Sequence, residues 1–228
     1  MIPQTPKHDL LRSLHELIKP KSYLEIGVQT GRSLVQARPG TVSVGVDPHP
    51  QLELLRDTPI LNPYSVHKMT SDEFFASPLV KTYAPYDFVF IDGLHLIEQV
   101  MRDFSNAMKW SRPDGRTIIA VDDVLPYSVE IASRQPLLGD WTGDVWKIYS
   151  ILSAHAHPDT TLLLVDVAPT GLLIILDVDP DEDPMTVDTI LQDDDVLTQF
   201  ELDELRSYAL TPENALHEVA TFLNRRGE

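Results

Sequence analysis

The sequence contains no cysteine, so disulfides, thiolate metal ligands and a cysteine nucleophile are all excluded. Positive charge is scarce as well. Lys and Arg number 18 against 35 Asp and Glu, a formal net charge of −17 at pH 7. A surface this acidic repels phosphate backbones and anionic lipid headgroups, so neither nucleic acid nor membrane is expected as a partner, and a small molecule is. No apolar run approaches the roughly 18 residues needed to span a bilayer. Met1 to His8 lacks the basic flank and apolar stretch of a secretion signal. These absences suit a cytoplasmic protein, and a homo-oligomer is compatible with them. What is present, 43% apolar and 23% charged residues in a chain of 228, suits one globular domain with a sizeable core.

Leu10, Leu11, Leu14, Leu17 and Ile18 recur at helical spacing before Pro20, which predicts a leading amphipathic helix. Short apolar runs then alternate with helical or loop stretches: Tyr23 to Ile26, Val42 to Val46, Asp87 to Ile91, Thr117 to Val121, Thr161 to Val165 and Leu172 to Leu176. The near-continuous Phe88 to Ile91 and Ile118 to Val121 predict strands buried on both faces, as in a parallel sheet. Only Ala168 to Gly171 separate the last two runs, too few for a helical crossover, so an antiparallel hairpin is expected there. From Asp177 to Asp195 the composition turns to Asp, Glu and Pro, which predicts an exposed acidic loop, followed by short helices from Glu201 to Arg225. Asp177, Asp179, Asp181, Asp183 and Asp188 fall in a calcium-loop register, but Glu182 replaces its required glycine and Pro184 intrudes. A solvated loop is the expectation.

Glu25-Ile26-Gly27-Val28-Gln29-Thr30-Gly31 follows the first predicted strand and is expected to open a helix, its glycines allowing a tight turn and close approach to a ligand. It is not the G-x-G-x-x-G dinucleotide pattern. An acid ahead of the first glycine disfavours pyrophosphate, so Glu25 points to a cationic or zwitterionic ligand. Asp47 ends the second strand, 20 residues beyond Gly27 (47 − 27), where a carboxylate can accept both hydroxyls of a ribose. With this combination the sequence resembles the class I S-adenosylmethionine-dependent methyltransferases. The resemblance places Ser71, in Met69 to Phe75, beside the adenine, and adds Asp92 to a cofactor set of Glu25, Gly27, Gly31, Asp47 and Ser71.

Phe90-Ile91-Asp92-Gly93-Leu94-His95 is a buried strand ending in a carboxylate with an imidazole three residues on, and Asp122-Asp123 ends the next strand. Three carboxylates converging at neighbouring strand ends need a proton or a cation, and hard oxygen ligands suit Mg²⁺, Mn²⁺ or Ca²⁺, with Mg²⁺ or Mn²⁺ the expected cofactor. These motifs resemble the divalent-metal-dependent O-methyltransferases, of the catechol, caffeoyl-coenzyme A and macrolide-sugar types. By that resemblance Asp92, Asp122 and Asp123 are metal ligands, and His95, with an ordinary pKa near 6.5, is the base beside catalytic Asp92. The run from Ser71 to Asp123, with Trp141 to Lys147, is similar to a bacterial subgroup of family 24 methyltransferases. Leu94 departs from the second Asp often found in related sequences. Gly143 and Trp146 suggest a hinge and an aromatic wall of a substrate lid, although Trp146 can equally be a core residue; His155 and His157 read as surface residues.

The resemblance implies a Rossmann-like α/β domain, a seven-stranded sheet in order 3-2-1-4-5-7-6 with the last strand antiparallel and helices on both faces. Residues 1–178 form the methyltransferase domain with its N-terminal helix, and residues 179–228 the acidic loop and C-terminal helices on or flanking it. The expected activity is methyl transfer to an oxygen of a small hydroxylated metabolite. An inactive cofactor-binding or regulatory protein, and an NAD(P)-dependent oxidoreductase, stay open as other readings.

Overall fold

A computed structural model describes residues 5–52, 63–181 and 196–227. The leading helix, α1 (Pro6–Ile18), starts with Pro6 at its first turn and ends where Lys19 turns left-handed, at φ 53°. Its apolar stripe of Leu10, Leu11 and Leu14 is buried. The strands are β1 (Ser22–Ile26), β2 (Val42–Val46), β3 (Tyr64–His67), β4 (Phe88–Ile91), β5 (Ile118–Asp122), β6 (Thr161–Val165) and β7 (Leu172–Leu176). They form one sheet in the order β3-β2-β1-β4-β5-β7-β6. β1 to β5 pair in parallel, while β7 runs antiparallel to both β5 and β6. This is the expected strand order.

Two apolar layers cover the sheet. On one face α1 and α7 (Pro212–Arg225) pack through Leu10, Leu14, Ala215, Val219 and Phe222 onto Tyr23, Phe88 and Ile118. On the other face lie α2 (Ser71–Ala76), α3 (Leu79–Tyr83), α4 (Ile97–Lys109), α5 (Lys147–His155) and α6 (Gln199–Tyr208); Phe74, Val80, Phe104, Leu152 and Leu202 pack there against Leu24, Val89 and Ile119. Alternation along each strand divides its residues between the layers, so both faces are apolar.

Register sets up the site. Ile26 pairs with Val46 and with Ile91, and Ile91 pairs with Val121. The next residue on each chain is Gly27, Asp47, Asp92 or Asp122, so four separate motifs come out side by side at one edge of the sheet. Leu172 opposes Asp122, and because β7 is antiparallel, the turn preceding it, Ala168 to Gly171, reaches the same edge.

Two details differ from the sequence reading. The loop after β1 opens only a 3₁₀ turn, Leu34–Gln36, cut short before Pro39 and Gly40. β3 has no apolar run; it is a sheet edge with half-buried and exposed side chains, so burial imposes no pattern on it. Of the acidic segment, residues 182–195, and with them Asp183 and Asp188, lie outside the described residues. Among the described residues no helix is long and apolar enough to cross a membrane.

Candidate active site

The aligned strand ends open into a cleft of about 900 Å³, lined by Gly27, Asp47, Ser71, Asp92, His95, Asp122 and Asp123, together with residues of the segments 28–33 and 137–142. That is the upper part of the usual range for a small-molecule site. Of the expected cofactor set, Gly27, Asp47, Ser71 and Asp92 line it. Asp47 braces the glycine loop, Oδ2 accepting from the Gln29 amide at 2.7 Å and Oδ1 from the His49 amide at 2.6 Å. Each oxygen keeps a lone pair for a ligand hydroxyl. Ser71 accepts from Gln99 Nε2 at 3.1 Å, and the same amide bonds Asp103 Oδ1 at 2.9 Å. Asp103 is buried under Gly93, and burial raises its carboxyl to about 6.

Glu25 and Gly31 do not line the cleft. Glu25 shares a strand face with Tyr23, two residues earlier, whose hydroxyl donates to Oε2 at 2.7 Å. Burial pushes Glu25 up to about 8, against the opposing effect of the Tyr23 bond, so it is largely neutral at pH 7. In this arrangement the carboxyl is turned inward, away from the cleft, and is largely neutral, so it sets no full negative charge beside a ligand. The role of Gly27 also changes. At φ +85°, a Cβ there would come 1.8 Å from the carbonyl oxygen of Asp92, so this glycine lets β1 and β4 end side by side rather than making room only for a ligand.

The acidic centre is tighter than the motifs show. His95 Nε2 lies 3.1 Å from Asp123 and 3.6 Å from Asp92, and one atom from each of these three residues falls within 4.8 Å of the others. Asp123 sits at φ 64°, a left-handed conformation that Asp tolerates better than most residues and that lets two consecutive acids share one strand end. Lys7, from the first turn of α1, joins them. Its ammonium contacts Asp122 Oδ2 and lies 3.7 Å from Asp92 Oδ2, with the side chain 13% exposed. The Lys7 amide donates to the Ala168 carbonyl at 3.2 Å, which ties the start of α1 to the turn before β7.

Burial works against the charge of every member. For Asp92, Lys7 and His95 outweigh it and hold the carboxyl below its ordinary range. Asp122 and Asp123 are raised, by burial and then by their neighbouring acids despite Lys7. Burial lowers His95, but the Asp92 hydrogen bond and the charges of Asp123 and Asp92 carry it up to about 9. The expectation of an ordinary pKa near 6.5 is thus corrected: an imidazole among carboxylates holds its proton.

Of the three carboxylates expected to bind a divalent ion, all meet here, yet Lys7 already takes Asp122 and neighbours Asp92. An ion on those oxygens would lie close to the ammonium, and cations at such distances repel by several kcal/mol even at an effective dielectric of about 20. As arranged, Asp92, Asp122 and Asp123 do not fit a divalent ion as a set; among the described residues the group that could hold one is Asp92, His95 and Asp123.

The loop before α5 fixes His95. Trp141 O lies 2.7 Å from His95 Nδ1, and the two rings stack at 5.3 Å and 28°. Asp144, 1% exposed, accepts from the Ile97 amide at 2.9 Å at the start of α4 and pairs with Arg134. Trp146 is buried in the core and does not line the cleft, whereas Trp141 does, so the aromatic wall is Trp141. Lys7 and Trp141 are the residues that sequence reasoning missed. A lysine at a helix start reads as solvated, and the one tryptophan cannot be ranked over the other without the loop's path.

A family model described as a methyltransferase domain matches residues 24–124. Among solved structures, the O-methyltransferase TomG from Streptomyces achromogenes, involved in tomaymycin synthesis and solved with S-adenosylmethionine, is similar at 22% identity and TM-score 0.56, covering 77% of this chain and 81% of that one. An O-methyltransferase from Bacillus cereus, in complex with S-adenosylhomocysteine, is similar at 18% identity and TM-score 0.54, covering 76% and 82%. At such identities the likeness speaks for the fold. No curated protein matches the chain.

Proposed function

We propose that this chain, whose strand order is that of the expected Rossmann-like sheet and whose residues 24–124 match a methyltransferase-domain model, is a class I methyltransferase that moves the methyl group of S-adenosylmethionine to an oxygen of a small hydroxylated molecule. The observation that carries this reading is the register of the sheet: it brings the glycine loop and Asp47 to the same cleft as Asp92 and His95.

When bound, S-adenosylmethionine supplies an electrophilic methyl group on a sulfonium centre. Asp47 has free lone pairs for the ribose hydroxyls, and the inward, neutral Glu25 leaves the glycine loop without a charge at its base. At the other end, Trp141, Leu94, Tyr127 and Leu137 give the cleft apolar walls, which suit an aromatic or otherwise apolar acceptor. His95 in its neutral form, the minor one below about pH 9, takes the acceptor's hydroxyl proton at Nε2 as the oxygen attacks the methyl carbon; the carbon–sulfur bond breaks and its electron pair stays on sulfur. A base near pKa 9 is well matched to a phenol-like hydroxyl of pKa about 10. No step is assigned to a divalent ion.

Calorimetry of S-adenosylhomocysteine against NAD⁺, followed by labelled S-adenosylmethionine with a panel of hydroxylated aromatics, tests the proposal. Micromolar binding of S-adenosylhomocysteine and label on an ether oxygen are expected. Preference for NAD⁺ would overturn it in favour of an oxidoreductase.

A further inference from the structure

We infer that Lys7 is the built-in cation of this site, standing where a divalent ion would otherwise be required and presenting an N–H to the acceptor oxygen. Three carboxylates, Asp92, Asp122 and Asp123, face one another at the strand ends, and two cationic side chains, Lys7 and His95, face them. His95 serves the Asp92 and Asp123 side. Lys7 serves the Asp122 and Asp92 side, so the carboxylates are divided between two cations.

The ammonium is placed by structure, not by chance of a long side chain. Pro6 and the Thr5–His8 capping box fix the first turn of α1, the Lys7 amide is tied to Ala168, and α1 is anchored to the sheet through Leu10, Leu11 and Leu14. An ammonium carries three donors. One is taken by Asp122, Asp92 stands just beyond hydrogen-bonding distance at 3.7 Å, and Lys7 lines the cleft. A donor therefore remains for a ligand oxygen. It would favour the ionised form of a hydroxyl whose proton passes to His95 when that ring is neutral, the electrostatic service that a metal ion otherwise gives.

The acceptor contact rests on the methyltransferase reading; the cation's place does not. The test is Mn²⁺ binding, followed by electron paramagnetic resonance, in wild type, Lys7→Met and the double variant Lys7→Met/Asp122→Asn. The single variant should bind Mn²⁺ at least about tenfold more tightly than wild type, because a like charge has left the site, and the second change should remove that gain. Wild-type protein that binds Mn²⁺ as tightly as Lys7→Met would overturn the inference. Should Lys7→Met fail to fold, wild type alone decides: a melting temperature indifferent to Mn²⁺ and to a chelator supports the built-in cation, and a rise with Mn²⁺ that the chelator reverses refutes it. Calorimetry with S-adenosylhomocysteine on the same wild-type sample separates the two readings, since failure there sinks the methyltransferase proposal and leaves the Mn²⁺ result standing.

Discussion

The backbone carbonyl of Trp141 lies 2.7 Å from Nδ1 of His95. A carbonyl can only accept, so Nδ1 carries a proton and Nε2 is the nitrogen turned toward Asp92 and Asp123. A loop 46 residues downstream therefore sets the tautomer of the proposed base.

His95→Ala should slow methyl transfer by roughly 10²- to 10⁴-fold while leaving S-adenosylhomocysteine affinity within about twofold. Only the neutral ring accepts a proton, and its pKa is raised to about 9, so the wild-type rate should climb up to about pH 9 and then level off. Rate profiles of both proteins check this. Survival of the same pH limb in the variant would give the proton to another group.

Gly143 sits at φ +56°, and a Cβ there would come 1.6 Å from the carbonyl oxygen of His95. Gly143→Ala must push the two loops apart, at a cost of about 1–3 kcal/mol for the backbone alone. The turnover number should fall further than the melting temperature suggests, because the His95–Trp141 bond is lost. Kinetics beside a denaturant titration reveal the split; equal rates in the two proteins would contradict it.

Gly27→Ala meets the Asp92 carbonyl, which belongs to the sheet edge and cannot easily retreat. We expect destabilisation of about 3 kcal/mol or more, measured by urea unfolding, rather than a folded protein with weakened cofactor binding. A stable variant lacking only cofactor affinity would restore a purely ligand-related role to this glycine.

His15 is buried against Tyr23 and Phe88, and neither ring nitrogen has a hydrogen-bond partner. Burial, then the nearby Arg38, lowers its pKa from 6.5 to about 3. The unfolded chain therefore takes up a proton near pH 6.5 that the folded chain refuses. Stability is present in full above that pH and falls as pH drops from about 6.5 toward 3, by about 1.4 kcal/mol for each unit. His15→Phe should flatten this part of the profile. Urea midpoints at pH 7.5 and 5.0, with the two proteins losing equally, would show that other groups govern the acid side.

Much of the fold was legible because its causes are local. The apolar runs at Phe88 to Ile91 and Ile118 to Val121 announce buried parallel strands, Gly27 and Gly31 mark turns, and a four-residue gap forces a hairpin. The acids at strand ends could be picked out one by one, since a charge directly after an apolar strand has to emerge at its tip. Direction and company were not legible. Which way Glu25 points depends on strand alternation relative to a layer the sequence does not name, and its neutral, inward state follows only once α1 covers that face. That Lys7, 85 residues before Asp92 and 115 before Asp122, lies among those carboxylates depends on where α1 docks. The pKa of His95 follows from the same convergence. Sequence spacing encodes the period of a strand or helix, whereas the field at a site is summed over charges from distant segments, and only their packing decides the distances between them.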